Sequence, residues 1–146
     1  MFFLKQLPTK AMVDKYSGIY CPEYAEKVTN QLKMMREASI LVRQLDTYFA
    51  SHNMSQLKFL ILMVIDRELD RDWLYAVEIS ERLDVSKPVL SRAIKTLTEK
   101  GYLSTHKDSK DGRAVVLTLT QSGKSTLTTL LPDYFKILTN HSGEEQ

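Results

Sequence analysis

Residues 86–120 read SKPVLSRAIKTLTEKGYLSTHKDSKDGRAVVLTLT, and the order of residue types in this stretch sets the architecture. Ser86 is a good N-cap, because its hydroxyl can accept from an otherwise orphaned N–H in the first helical turn. Pro88 lies in that turn, where a missing N–H costs little. Gly101 follows Lys100 and supplies a C-terminal stop. At about 100° per residue, Val89, Leu90, Ala93, Ile94 and Leu97 fall on one arc and face a core. Ser91, Arg92, Lys95 and Thr98 fall on the opposite side with Pro88 and Glu99, and Lys87 stands at the N-terminal end.

Beyond the glycine the period changes. Tyr102 to Lys107 and Ala114 to Leu119 read as strands, and in the second Val115, Leu117 and Leu119 alternate with Val116 and Thr118. Asp108-Ser109-Lys110-Asp111-Gly112 is a polar turn, with Gly112 supplying the positive φ such turns demand. Lys107, Lys110 and Arg113 charge its tip, and Asp111 is close enough to hold Arg113 extended. Upstream, residues 77–85 read as a short helix with Ile79 and Leu83 inward, and a turn at Asp84-Val85 leads into Ser86. Asp72 to Tyr75 suits a short third strand. Two helices joined by such a turn, then a thin basic hairpin, make a winged helix-turn-helix. Its second helix is sized for a DNA major groove, and an arginine on a thin hairpin suits a narrow minor groove. Taken singly, these elements read as a solvated amphipathic helix and an ordinary charged hairpin. Their succession favours the DNA-binding reading.

Charge is distributed to match. Between Arg82 and Lys124 there are nine basic and four acidic residues, a net of +5, whereas the whole chain carries +2, so the remainder is −3. Positive charge gathered in one lobe is what phosphate binding requires. A total this modest argues against a non-specific nucleic-acid coat protein.

The pattern S-x-x-x-x-S-R-x-I-x-x-L-x-x-K-G-Y-L from Ser86 to Leu103, then D-S-K-D-G-R from Asp108, then L-T-L-T-x-x-G from Leu117, resembles the MarR/SlyA family of bacterial transcriptional regulators. The resemblance covers Val77 to Gly123 and extends more loosely back to Met54, where M-S-Q-L-K-F is similar to the start of the family's second helix. It implies that Ser86, Lys87, Pro88, Ser91, Arg92 and Lys95 meet the major groove and its phosphates. It implies equally that Lys107 and Lys110 support the wing, with Arg113 in the minor groove and Asp111 orienting it. Lys110 stands where the family more often has Arg, which keeps the charge but loses a bidentate fork.

The fold expected is therefore mainly α with a small β wing. Residues 1–53 form an N-terminal extension and long dimerisation helix, 54–120 the winged helix-turn-helix lobe, and 121–146 C-terminal dimerisation helices and a tail, with Ser142 to Gln146 polar and frayed. Pro22 to about Ala50 has no internal proline or glycine, and two apolar stripes run along the helix. One is Val28, Leu32, Met35, Val42 and Phe49; the other is Met34, Ala38, Leu41, Leu45 and Tyr48. Either both bury within one chain or one meets a partner, and a second copy is the simplest partner. Ser55 to about Glu68 reads as a core helix. After Thr120, which can cap a helix, Pro132 is expected to interrupt it and leave a short last element. Phe2, Phe3, Leu7 and Ile19 are expected to compensate by packing on the dimerisation region.

The resemblance implies a homodimer reading a pseudo-palindromic operator in double-stranded DNA, as repressor or activator. It also admits a small amphipathic effector held between the dimerisation helices and the lobe. Tyr48, His52 and Trp73, with Met34, Met35 and Met63, are either plain core or the lining of such a pocket. A protein-interaction module that has lost the DNA-reading face is the rival from another class, and the Lys and Arg of the helix and wing argue against it. The lone cysteine, Cys21, excludes an internal disulfide and suits a cytoplasmic protein; with Glu23 and Glu26 near, it reads as inert rather than redox-sensing. The three histidines show no metal-ligand spacing, no cofactor is implied, and no phosphate loop or nucleophile elbow points to an enzyme. No stretch approaches the roughly 18 apolar residues of a membrane span.

Overall fold

The computed structural model describes residues 2–140, so the tail expected from Ser142 to Gln146 lies outside the described residues. The elements run α1 (Lys10–Tyr20), α2 (Ala25–Ala50), α3 (Gln56–Asp66), β1 (Trp73–Tyr75), α4 (Ala76–Arg82), α5 (Lys87–Glu99), β2 (Leu103–Lys107), β3 (Val115–Leu119) and α6 (Gln121–Asn140). This is the mainly α architecture with a small β wing that the sequence pattern predicts. The chain divides into two compact units, Tyr48–Lys136 and Met1–Thr47 with Ile137–Gln146.

The unit Tyr48–Lys136 holds most of the core. Ser55 caps α3 by accepting from the Lys58 N–H at 3.2 Å, and Phe59, Ile61, Leu62, Val64 and Ile65 of that helix are all buried. The short α4 starts on a carboxylate: Glu78 accepts from the Tyr75 N–H at 2.8 Å. Its Ile79 is fully buried and Leu83 half-buried. Ser86 stands at the N-cap of α5 with extended backbone, but its hydroxyl makes no capping bond. The physical reason is Pro88, which removes one of the two N–H groups an N-cap side chain usually accepts from. Leu90, Ala93 and Leu97 are buried as their arc requires. Val89, assigned to the same arc, is instead 37% exposed, at the edge of that arc, while its neighbour Leu90 is buried. Gly101 takes φ +78°. The Tyr102 N–H then reaches the Leu97 carbonyl at 2.9 Å and the Gly101 N–H the Thr98 carbonyl at 3.0 Å, a Schellman closure.

The sheet has order β1-β3-β2, all antiparallel. Leu103 faces Leu119 and Lys107 faces Val115 across the hairpin, and Tyr75 faces Val116 on the other side. Successive residues point to opposite faces, yet Val116 and Leu117 are both buried. Both faces of this central strand are thus covered there, and simple alternation fails; Val115, at the hairpin's open end, is the exposed one. Gly112 does not supply a positive φ, since Gly101 alone among the described glycines adopts one. Aspartates shape the turn instead. Asp108 Oδ1 accepts from the Lys110 N–H at 2.7 Å, and Asp111 Oδ1 from the Arg113 N–H at 3.0 Å.

Pro132 does not end the last helix: α6 runs unbroken from Gln121 to Asn140. Thr120 caps it, accepting from the Gly123 N–H at 3.0 Å. Packing on either side carries the helix through the missing donor. Leu127 and Leu130 are buried before the proline, the Tyr48 hydroxyl donates to the Leu130 carbonyl at 2.8 Å, and beyond it the Tyr134 ring lies 4.6 Å from that of Phe59.

In the other unit the chain before the long helix is itself helical, which the sequence reading left unassigned. Thr9 caps α1 by accepting from the Met12 N–H at 3.3 Å. The long helix starts at Ala25 rather than Pro22. Phe2 and Leu7 are half-buried, but Phe3 and Ile19 are 86% and 71% exposed, against the packing expected of them. Val13, Ser17 and Leu45 are the buried residues described in this unit, while Met34, Met35 and Val42 of the two stripes stay exposed.

Candidate nucleic-acid interface

The helix and hairpin place their polar residues outward. Ser86, Lys87, Pro88, Ser91, Arg92 and Lys95 of the α5 region are all exposed, as are Lys107, Lys110, Asp111 and Arg113 of the wing. Val89 joins them, a residue the helical arc had assigned to the core. Salt bridges leave most of these cations unneutralised: among the described residues Lys87, Arg92, Lys107, Lys110 and Arg113 pair with no carboxylate. Lys95 lies 3.9 Å from Glu99, but both side chains are largely exposed, so the pair is weak. Two other cations of the basic lobe are occupied. Arg82 bonds Glu68 at 3.0 Å and Lys100 donates to the Asn53 carbonyl at 3.2 Å.

The wing's shape comes from its aspartates rather than from an ion pair. Asp111 holds the backbone of Arg113, not its guanidinium. The expected orienting contact is thus made one atom group earlier, and the guanidinium extends free of it. At the root, the Tyr75 hydroxyl donates to the Asp108 carboxylate, tying β1 to the start of the turn. That bond, with the Lys110 N–H, holds the Asp108 carboxyl below its ordinary range and pushes the Tyr75 phenol up. Tyr75 was read only as the end of a short strand; its bond to Asp108 was not legible because 33 residues separate the two, and no local pattern links them.

A second network fixes α4 under this sheet. Glu78 receives the Arg71 guanidinium at 2.6 Å as well as the Tyr75 N–H. The Arg71 bond is the main reason its carboxyl is held below the usual range. Arg71 also covers the Trp73 ring at 4.7 Å, and Trp73 meets Tyr75 edge-on at 5.0 Å. Of the three residues considered for an effector, Tyr48 and His52 come together, with rings 4.8 Å apart. Trp73 instead has Arg71 and Tyr75 as its ring neighbours, and the Tyr48 hydroxyl is already committed to Leu130. No helix among the described residues is long and apolar enough to cross a membrane.

Known proteins share this arrangement. Residues 52–114 match the model of the MarR family. The chain is 26% identical over 147 aligned residues to the HTH-type transcriptional repressor YetL of Bacillus subtilis, a match covering 98% of this chain and 87% of that protein. It is 42% identical over 60 residues to the transcriptional regulator AdcR of Streptococcus pneumoniae, 41% of this chain and 38% of that one. Among solved structures, Sco3205 of Streptomyces coelicolor, a MarR family regulator in complex with DNA, superposes with a TM-score of 0.70 at 15% identity, over 99% of this chain and 81% of that one. At that identity the likeness is one of fold. The helix-turn-helix and the first part of the wing are thus similar to the MarR family, and nearly the whole length of the chain is similar to a transcriptional repressor.

Proposed function

We propose that the chain binds a pseudo-palindromic operator in double-stranded DNA as a homodimer, with α5 in the major groove and the wing in the minor groove. The observation that carries this reading is the set of exposed cations without carboxylate partners among the described residues: Lys87 and Arg92 on α5, Lys107, Lys110 and Arg113 on the wing. A solvated face would tolerate neutralising partners; a phosphate-binding face has to keep its charge free. Arg92 and Ser91 address base edges, Val89 offers an apolar contact for a thymine methyl, and Lys87, Lys95, Lys107 and Lys110 address phosphates. Ser86 and Pro88 set the start of the helix, and Asp111 positions Arg113 through its backbone. The neighbour Sco3205, solved with DNA, supports the same use of the shared fold.

The dimer is supported by where the apolar surface is left. Among the described residues fifteen large hydrophobics stay exposed, and ten of them lie in the unit Met1–Thr47, Ile137–Gln146; apolar surface gathered in this way is a mark of association sites. A cytoplasmic regulator released by a small effector completes the reading, with Tyr48 and His52 as its first contacts to test. The test of DNA binding is a fluorescence-anisotropy titration on a duplex at several salt concentrations. Log affinity should fall linearly with log salt, and Lys107→Ala or Lys110→Ala should each reduce the slope by about one. A slope near zero, or one unchanged in both variants, would remove the wing lysines from the interface.

A further inference from the structure

The N-terminal unit contains a cavity of about 530 Å³, open on one side, between α1 and the first turns of α2. Its walls are apolar: Met12, Val13 and Tyr20 from α1, Val28 and Leu32 from α2. Ser17 also lines it, and this residue is 5% exposed. Among the described residues its hydroxyl makes no hydrogen bond, although a serine in a helix commonly bonds the carbonyl four residues back. A buried hydroxyl without a partner costs stability unless something else supplies the bond. Lys15 lies on the same lining, exposed, with its ammonium 5.9 Å above the Tyr16 ring and paired with no carboxylate among the described residues. The volume suits a small molecule, and a mostly apolar wall with few polar groups is how such sites are built.

We propose that this cavity binds a single-headed apolar anion, a monocarboxylate with a hydrocarbon body. The body fills the space between Met12, Val13, Val28 and Leu32. The carboxylate accepts from the Ser17 hydroxyl and lies against the Lys15 ammonium. The site is built from α1, α2 and the residues that flank α1, apart from Tyr48, His52 and Trp73, and it stands or falls independently of DNA binding.

Cys21 gives a native reporter, because it is the chain's one cysteine and it lines the cavity. The experiment measures the rate at which a chromogenic disulfide reagent modifies Cys21 in the full chain, with and without decanoate, benzoate or decanol. An acid in the cavity should slow the reaction at least about fivefold at saturation. Decanoate acting and benzoate not identifies an aliphatic body, and the reverse an aromatic one; either supports the site. Lys15→Gln and Ser17→Ala should each raise the decanoate concentration for half protection by about three- to fivefold, the weight of one exposed charge pair or one hydrogen bond. Ser17→Ala should unfold at a urea concentration no lower than the parent's without ligand, because it removes a buried hydroxyl that has no structural partner to lose. No protection by either acid would overturn the proposal. So would protection by decanol equal to that by decanoate, or protection unchanged in both variants. Protection that rises with protein concentration and ignores the acids would assign the cavity to a second copy of the chain and likewise overturn it.

Discussion

At the scale of single residues, the wing tip and its root separate function from stability. Arg113 is exposed and its guanidinium has no partner among the described residues, so Arg113→Ala should weaken operator binding by about tenfold, the weight of one groove contact, and leave the urea midpoint unchanged. Equal affinity at physiological salt would take the wing out of the mechanism. Arg92→Ala distinguishes two roles: a base contact relaxes sequence preference, whereas a phosphate contact weakens all sites alike. Asp108 behaves differently, because its bonds lie inside the protein. Its folded pKa is depressed, first by the Tyr75 hydroxyl and then by the Lys110 N–H. A depressed carboxylate contributes stability that is fully present above its unfolded value, ordinarily 3.8, and is lost as pH falls through the lower folded value. Glu78, depressed by Arg71 from an ordinary 4.5, acts in the same direction. Acid unfolding followed by circular dichroism should therefore show a pH dependence below about 4 that Asp108→Asn makes shallower. A variant with an unchanged acid limb would mean that the wing root does not couple to folding.

At the scale of elements, the sequence was legible wherever one local rule decided the outcome. Gly101 is the clearest example, its positive φ closing α5 as the stop signal implied. Gly101→Ala should destabilise the lobe by about 1 kcal/mol for forcing a Cβ into that conformation. The sites chosen on α5 and the wing are all exposed for the same reason: their helical and hairpin periods were long enough to read. What escaped depended on contacts distant in sequence. Pro132 looked like a stop because proline lacks an N–H, but Tyr134 against Phe59 and the buried Leu127 and Leu130 hold α6 together around it. Pro132→Ala should accordingly raise the melting temperature, since the packing stays and a helix-breaking residue goes. Gly123 was read only as part of a motif. Its structural reason is a close approach, since a Cβ there would sit 2.1 Å from the Tyr102 carbonyl oxygen. Backbone cannot yield cheaply, so Gly123→Ala should cost about 2 kcal/mol or more in urea unfolding. A variant as stable as the parent would contradict the tight packing of α6 on the strand entry. Helix α1 went unread although Met12, Val13, Tyr16, Ile19 and Tyr20 fall on one helical arc, because Gly18 inside it weakens the local helix signal.

At the scale of the whole molecule, one lobe concentrates charge and the other unit concentrates uncovered apolar surface. The first suits a polyanion and the second a copy of the same chain, so affinity and dimerisation should respond to different substitutions. Met35→Glu, placed on an exposed stripe of α2, should shift sedimentation velocity toward the monomer and weaken operator binding with it, while Arg113→Ala leaves the sedimentation coefficient unchanged. The central claim is sequence-specific binding of double-stranded DNA, and its most direct test is selection of bound fragments from sheared genomic DNA at about 150 mM salt, where weak phosphate-only binding is suppressed. The account predicts enrichment of a pseudo-palindrome with half-sites about one helical turn apart, lost when Arg92 and Arg113 are both replaced by alanine. Recovery of fragments with no common sequence by a folded, dimeric protein would contradict it.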